Sequence, residues 1–134
     1  MTARRSTEFD LDKAMAEPGF TPRLGDVAAL VGRVALGGDP AELAEKALLR
    51  IGLAAGHEAA AQAERAPPEG RARLTRFAGR IAAIVGGEVL APFLIARLGD
   101  ADERTRRAAA TALGKTRAPG AGAALAEALD HEGE

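Results

Sequence analysis

Apolar residues recur three and four positions apart along most of the chain, a spacing that predicts short amphipathic helices rather than strands. Seven segments show this pattern: residues 21–37, 39–51, 53–65, 69–85, 88–98, about 101–114 and 121–129. Glycine or proline stands at the junctions, where these residues end or begin helices. The pattern therefore predicts an all-α chain of helices joined by short turns.

Three of these helices form an internal repeat, because each is predicted to close on a glycine: Gly52, Gly86 and Gly114. One position before these glycines stand Ile51, Val85 and Leu113. Five positions before them stand Ala47, Ile81 and Ala109, and nine positions before them stand Leu43, Phe77 and Thr105. Positions four apart share a helix face, so one stripe occurs three times. Repetition of this kind is typical of a solenoid, in which each helix pair buries its apolar face on its neighbours. An all-α bundle would bury the same stripes but does not account for the aligned glycines.

The stripes also predict which side chains are buried. In the middle repeat, the central core is predicted to consist of Phe77, Ile81 and Val85 together with Phe93. On the helix over residues 39–51, the buried face is predicted to carry Leu43, Ala47, Leu48 and Ile51.

The segment of residues 98–115, LGDADERTRRAAATALGK, carries a recognisable motif. Gly99-Asp100 forms a turn, Arg106 precedes an alanine triplet, and the helix closes on Leu113-Gly114. This segment resembles the second helix of a HEAT repeat, in the form found in bacterial phycobilisome-lyase-type HEAT-like repeats. Thr105 stands where that family usually has valine, and its hydroxyl is expected to bond back to the helix.

The resemblance implies a fold and a role for the turn. The expected fold is a short right-handed α-α superhelix, a HEAT-like solenoid of about three helix pairs plus one unpaired C-terminal helix. Arg106 matches the family arginine that braces the turn by pairing with an aspartate. We therefore read Arg106 as structural, with Asp100 or Asp102 as its partner.

In HEAT-like stacks the second helices line the concave face, so the resemblance places four arginines there: Arg73, Arg76, Arg80 and Arg104. Arginine suits carboxylate or phosphate partners because its planar fork bonds them bidentately. The alternative is an ordinary solvated surface with internal ion pairs, such as Glu42 with Arg76 and Glu69 with Arg73.

Composition limits the classes of protein considered. The chain has no cysteine and a formal net charge of −1, which argues against a disulfide framework and against a general affinity for nucleic acid. The absence of cysteine also fits the cytoplasm. No apolar run approaches a membrane span, so we expect a cytoplasmic protein that does not bind membranes. Residues 1–20 are predicted to be an arm, either loose or a docked short helix, preceding a repeat domain over 21–134.

Residues for catalysis or metal binding are sparse. Ser6 is the only serine, and the two histidines, His57 and His131, lie on different predicted helices. No set of ligands converges in the way that a zinc site requires. We therefore expect no cofactor, no metal and no enzymatic activity.

The last predicted helix carries Leu125 and Leu129 without a following helix to cover them. The chain could be the N-terminal module of a longer protein, the helix could pack against a second copy, or it could fold back over the third pair. We expect an open end, and hence self-association through residues 121–129.

These observations favour a non-catalytic protein-protein interaction scaffold whose partner carries acidic groups. Two alternatives stay open: an accessory or catalytic subunit of a bilin-lyase-like enzyme, and a binder of an anionic ligand or nucleic acid through the arginine-lined face.

Overall fold

The computed structural model describes residues 24–117 and 120–132, and the predicted arm of residues 1–20 lies outside this part of the chain. Seven α-helices occur among the described residues: α1 (Val27–Leu36), α2 (Asp39–Leu49), α3 (Leu53–Ala63), α4 (Pro68–Val85), α5 (Gly87–Arg97), α6 (Glu103–Thr116) and α7 (Ala121–Glu132). A 3₁₀ turn, Leu24–Asp26, precedes α1. The described residues contain no strand, so the all-α prediction is confirmed.

The helices stack as consecutive pairs. Helix α1 packs on α2, α3 on α4, and α5 on α6, while α1, α3 and α5 also contact one another in succession. On the other side, α4 packs along the length of α6. Helix α4 contacts helices of all three pairs and is therefore the centre of the stack. This arrangement confirms a HEAT-like solenoid.

The turns use glycine where the backbone requires it. Gly37 and Gly38, between α1 and α2, have φ of 76° and 85°, and Gly86, between α4 and α5, has φ of 112°. Side chains disfavour these angles because the Cβ atom clashes with the backbone. Glycine at these positions therefore permits the sharp reversals within and between pairs.

Gly114 does not close its helix, contrary to the prediction. Helix α6 continues to Thr116 and ends at Arg117, which adopts the left-handed conformation with φ of 52°. The Arg117 amide donates to the carbonyl of Leu113 at 3.1 Å, completing the helix end with a non-glycine residue.

The core is centred on α4, as predicted, but its extent differs. Phe77 and Ile81 are fully buried, whereas Val85 is 39% exposed because it is the last residue of the helix, at the edge of the stack. Phe93 is only half-buried, and the guanidinium of Arg97 lies 5.7 Å from its ring centroid. Two of the four predicted core residues therefore lie at the periphery.

The buried face of α2 is also rotated from the predicted one. The buried residues are Ala41, Ala44, Ala47 and Leu48. Leu43 is 37% exposed, because the small alanine side chains provide the surface that packs on α1. A prediction from the bulky residues alone therefore places the buried face of α2 wrongly.

Helices α4 and α6 approach each other closely at Gly79. A Cβ atom added there would lie 2.6 Å from the Cβ of Ala112, far inside contact distance. Neither atom can rotate away, because each is fixed to its backbone. The close contact between the second helices therefore depends on the absence of a side chain at this position.

Replacing Gly79 with alanine is expected to destabilise the fold by about 1–3 kcal/mol, the usual range for overpacking a close-packed interior. The measurement is urea unfolding followed by circular dichroism. Gly114→Ala is the matched control, because nothing lies within 4 Å of its added Cβ. That substitution is expected to stabilise α6 by up to about 1 kcal/mol. Equal changes in the free energy of unfolding for Gly79→Ala and Gly114→Ala would contradict the close approach of α4 and α6.

Candidate binding surface

A groove between α4 and α6 gathers the basic residues of the second helices. Arg76 and Arg80 lie one turn apart on α4, and Arg104, Arg107 and Lys115 lie along the facing side of α6. Small residues form the floor between the two rows: Gly79, Ala83, Ala108, Thr111 and Ala112. Among the described residues, no carboxylate lines the groove. We call this surface the basic groove.

Three of the five cations have acidic partners outside the groove. The Arg80 guanidinium contacts the carboxylate of Glu45 on α2, and Arg107 contacts Glu103 one turn earlier on α6. The nearest guanidinium nitrogen of Arg104 lies 3.3 Å from a carboxylate oxygen of Asp102 and 3.6 Å from one of Glu69.

The other two cations lack such partners. Within the described residues, neither the guanidinium of Arg76 nor the ammonium of Lys115 contacts a carboxylate. The anticipated pairs of Glu42 with Arg76 and Glu69 with Arg73 do not form; Glu69 instead approaches Arg104. Positive charge in the basic groove is therefore only partly balanced.

Arg73 is the one predicted arginine of the four that does not line the basic groove. Its guanidinium donates to the carbonyl of Ala35 at 2.9 Å, at the end of α1, and packs against Gly37. Arg73 lines a second groove, between α2 and α4, whose rim also carries Asp39, Glu42 and Glu45. Arg76 and Arg80 also line this mixed-charge groove, so they lie between the two grooves, whereas Arg73 lines only the mixed one.

Sequence reasoning missed Arg107 and Lys115. Arg107 is three residues after Arg104, a helical spacing that could have revealed it. Lys115 was missed because Gly114 was taken as the end of the helix, which placed the lysine outside it. The observed helix includes both residues.

The turn between α5 and α6 is held by the carboxylate of Asp100. Its side chain is 6% exposed and lies 2.7 Å from Nε of Arg71 on α4 and 3.3 Å from a guanidinium nitrogen of Arg97 on α5. The amide of Asp102 also donates to it at 2.9 Å. Arg71 belongs to the preceding pair, so this carboxylate joins two consecutive units.

These contacts shift the acidity of Asp100. Burial by itself would raise the pKa of the carboxyl, but the hydrogen bond from the Asp102 amide and the guanidinium groups of Arg71 and Arg97 outweigh it. The net effect is a pKa lowered from the usual value of 3.8. The folded protein therefore favours the ionised form of Asp100.

Asp102 caps α6. One of its carboxylate oxygens accepts from the Thr105 amide at 3.0 Å and from the Thr105 hydroxyl at 3.1 Å. Burial opposes ionisation, but the hydrogen bonds from Thr105 and the nearby Arg104 lower the pKa of Asp102 below its usual value. Buried Thr105 thus bonds to the cap residue, not back to the helix as expected, which accounts for a hydroxyl where the HEAT pattern usually has valine.

Arg106 braces the same turn through the main chain. Its guanidinium donates to the carbonyl oxygens of Asp100 at 2.9 Å and Ala101 at 3.1 Å. The carboxylate of Asp100 is instead taken by Arg71 and Arg97. Arg106 therefore braces the turn, as expected, but the ion pair that links consecutive units is formed by Arg71 and Asp100.

Comparison with known proteins agrees with this architecture. The model of the family described as HEAT repeats matches residues 58–134, more than half of the chain. The chain belongs to the HEAT-repeat family. HEAT repeats are generally protein-interaction scaffolds and are typically non-catalytic. No curated protein and no solved structure matches the chain.

The family match covers most of the basic groove and its support. It begins within α3 and includes all of α4 to α7. Helices α1 and α2 precede the match, yet they pack on each other as a further HEAT-like pair, and α1 also packs against α3 and α4. The structure thus extends the repeat towards the N-terminus.

The terminal helix of the HEAT stack packs on the third pair. Ala121 is buried, and Ala124, Leu125 and Ala128 pack partly buried against the core. Leu129, by contrast, is 72% exposed. The helix thus folds back on the stack along most of one face and does not form the expected open end. Self-association through residues 121–129 stays a prediction.

Residues 24–117 and 120–132 contain no group of three or more His, Cys, Asp or Glu residues placed to hold a metal ion. Among the same residues, no helix is both long and apolar enough to cross a membrane. The His131 side chain lies outside the described part.

Proposed function

We propose that this HEAT-repeat chain is an interaction module whose basic groove binds an acidic segment of a protein partner. The observation that carries the proposal is the convergence of five cations on one groove that is lined by no carboxylate of the described residues. Two of them, Arg76 and Lys115, lack a carboxylate contact within the described residues. Carboxylates of a partner can therefore bind these two cations without displacing an ion pair between described residues.

The paired cations do not oppose this function. The side chains of Arg80, Arg104 and Arg107 are exposed, while the carboxylates of Glu45 and Asp102 are largely buried and that of Glu103 is exposed. Ion pairs at the surface contribute only about 0.2–1 kcal/mol each. Exchanging one carboxylate for another costs little. Arginine also presents a planar fork that can bond two carboxylate oxygens at once.

The surroundings of the groove favour a protein partner over nucleic acid. Acidic residues flank the cations on several sides, including Glu45, Glu69 and Glu103, and they would repel a continuous phosphate backbone. Single strands are usually held by aromatic stacking. The two described phenylalanines are buried or half-buried and do not line the groove. No observation among the described residues favours a bilin-lyase-like activity.

The double variant Arg76→Glu, Arg104→Glu is expected to keep its thermal stability but lose binding. Exposed charges contribute little to folding, whereas reversing a complementary patch slows association and weakens the complex. The probe is a fluorescein-labelled peptide of alternating glutamate and leucine, with binding followed by fluorescence anisotropy. We expect an affinity at least roughly tenfold weaker than that of the natural sequence.

Arg50→Glu, Arg65→Glu is the matched control, because it makes the same change of net charge at exposed residues outside both grooves. We expect the control to bind the peptide nearly as well as the natural sequence. Equal loss in both variants would show that net charge, not the groove, attracts the peptide. Tight binding of a labelled DNA duplex with a steep salt dependence would instead indicate a nucleic-acid site.

A further inference from the structure

An exposed apolar side chain, Ile84, lies on α4 beside the basic groove without lining it. Arg76, Arg80 and Ile84 are spaced four apart on α4 and therefore lie on one stripe. Ile84 is 61% exposed, and its neighbour Ala83 lines the groove. A segment that combines carboxylates with apolar side chains would match both features of this surface.

The chain contains such a segment itself. Residues 8–12 read Glu-Phe-Asp-Leu-Asp, three carboxylates alternating with a phenylalanine and a leucine. The segment contains no basic residue and lies outside the described residues. In an extended chain, alternate side chains point to opposite sides, so one side would present carboxylates and the other apolar groups.

The connection is long enough for this segment to reach the groove. Residues 13–23 separate it from Leu24, and eleven extended residues span up to about 36 Å. Helix α4, at 18 residues, is about 27 Å long.

The starting point of this connection is also favourable. Helix α1 reverses into α2 at Gly37 and Gly38, so the beginning of α1 lies at the same end of the stack as Gly52. A Cβ atom added at Gly52 would lie 3.6 Å from Val85. The connection therefore starts at the end of α4 that carries Ile84.

We propose that residues 8–12 occupy the basic groove of their own chain and compete there with the partner. The inference rests on the proposed function, since it assigns the same groove an internal ligand of the same chemistry. The acidic residues bind the cations, and Phe9 and Leu11 supply the apolar contact near Ile84. Because the segment is tethered, its effective concentration at the groove is on the order of 1 mM. A partner must therefore displace it.

The test uses the full chain and a fluorescein-labelled peptide of residues 6–14 as the probe. In the variant Glu8→Gln, Asp10→Asn, Asp12→Asn, the tethered competitor loses its charges. If the segment binds with a dissociation constant near 0.1 mM, an effective concentration on the order of 1 mM predicts about tenfold tighter peptide binding by this variant.

The matched control is Glu64→Gln, Glu88→Gln, Glu127→Gln, three exposed residues that do not line the basic groove. This control makes the same change of net charge, so it measures the general attraction of a less acidic protein for the peptide. Equal affinities of the two triple variants would overturn the inference. If the two triple variants bind the peptide equally but Arg76→Glu, Arg104→Glu weakens its binding, the inference fails while the proposed function stands.

Adding Arg76→Glu and Arg104→Glu to the arm variant completes the test. If the combined variant binds the peptide more weakly than the variant with Glu8→Gln, Asp10→Asn and Asp12→Asn alone, the result supports the basic groove as the site. If the two bind the peptide equally well, the result overturns both the inference and the proposed function. Light scattering across a dilution series distinguishes an internal contact from an exchange between copies. The tethered contact is supported if the protein stays a monomer on dilution and the tenfold difference in peptide affinity persists. It is overturned if the measured mass falls on dilution and the difference in affinity disappears with it.

Discussion

Phe77→Ala is expected to lower the free energy of unfolding by about 3–5 kcal/mol, the usual range for truncating a buried phenylalanine. The Phe77 side chain is fully buried at the centre of α4, the helix that contacts all three pairs. Its removal leaves a cavity in the core, because the surrounding structure relaxes into the space only partially. The expected measurement is the unfolding free energy from urea denaturation.

Phe93→Ala serves as the control for this prediction. Phe93 is only half-buried, beneath the guanidinium of Arg97, so its truncation removes the same atoms from a site that water already reaches. We expect a clearly smaller loss. A loss below about 1 kcal/mol for Phe77→Ala would contradict the central packing of this residue, given the usual magnitude for buried aromatic truncations.

Asp100→Ala is expected to destabilise the fold by about 2 kcal/mol at neutral pH. The value lies between the contribution of exposed ion pairs, about 0.2–1 kcal/mol, and the loss on breaking a buried pair, about 3–5 kcal/mol. An intermediate value is expected because the carboxylate of Asp100 is nearly buried while the guanidinium groups of Arg71 and Arg97 remain partly exposed. Both guanidinium groups would lose this carboxylate.

The destabilisation should depend on pH in a defined direction. The pKa of Asp100 is lowered in the folded protein, so its ionisation stabilises the fold above the unfolded pKa of about 3.9. That contribution is lost as pH falls through the still lower folded pKa. The difference between the natural sequence and Asp100→Ala is therefore expected to be constant from neutral pH to about pH 5 and to shrink below about pH 4.

Unfolding in urea at a series of pH values provides the measurement. Asp130→Ala is the control, because Asp130 is exposed on α7. It is expected to change stability little at any of these pH values. A difference for Asp100→Ala that is independent of pH down to strong acid would show that the loss arises from packing rather than from the charge.

The repeat architecture could be predicted because its signals are local. The spacing of Leu74, Phe77 and Ile81 defines a helix face, and Gly37 and Gly86 occupy turns that require positive φ. The buried face of α2 was harder, because Ala41 and Ala44 carry too little apolar surface to stand out beside Leu43. In an alanine-rich chain, close backbone approach determines burial, and side-chain size alone does not reveal it.

The binding surface was only partly predictable. Arg76, Arg80 and Arg104 were identified because a helix face can be read from spacing, but their convergence depends on how α4 lies against α6. That contact is set by Gly79 and Ala112, which look unremarkable in a sequence with many such residues. The link between Arg71 and Asp100 was missed for the same reason, since no local pattern specifies which arginine of a neighbouring helix meets an aspartate.

The absence of a side chain at Gly79 also limits the shape of a ligand. Helices that touch through glycine and alanine lie near the short end of the usual 8–10 Å range of interaxial distances. An α-helix with its side chains is about 10–12 Å across and is too wide to lie on the floor between the two rows of cations. Adjacent extended chains need only about 4.7–4.9 Å. An extended peptide therefore fits the floor of the basic groove better than a helix does.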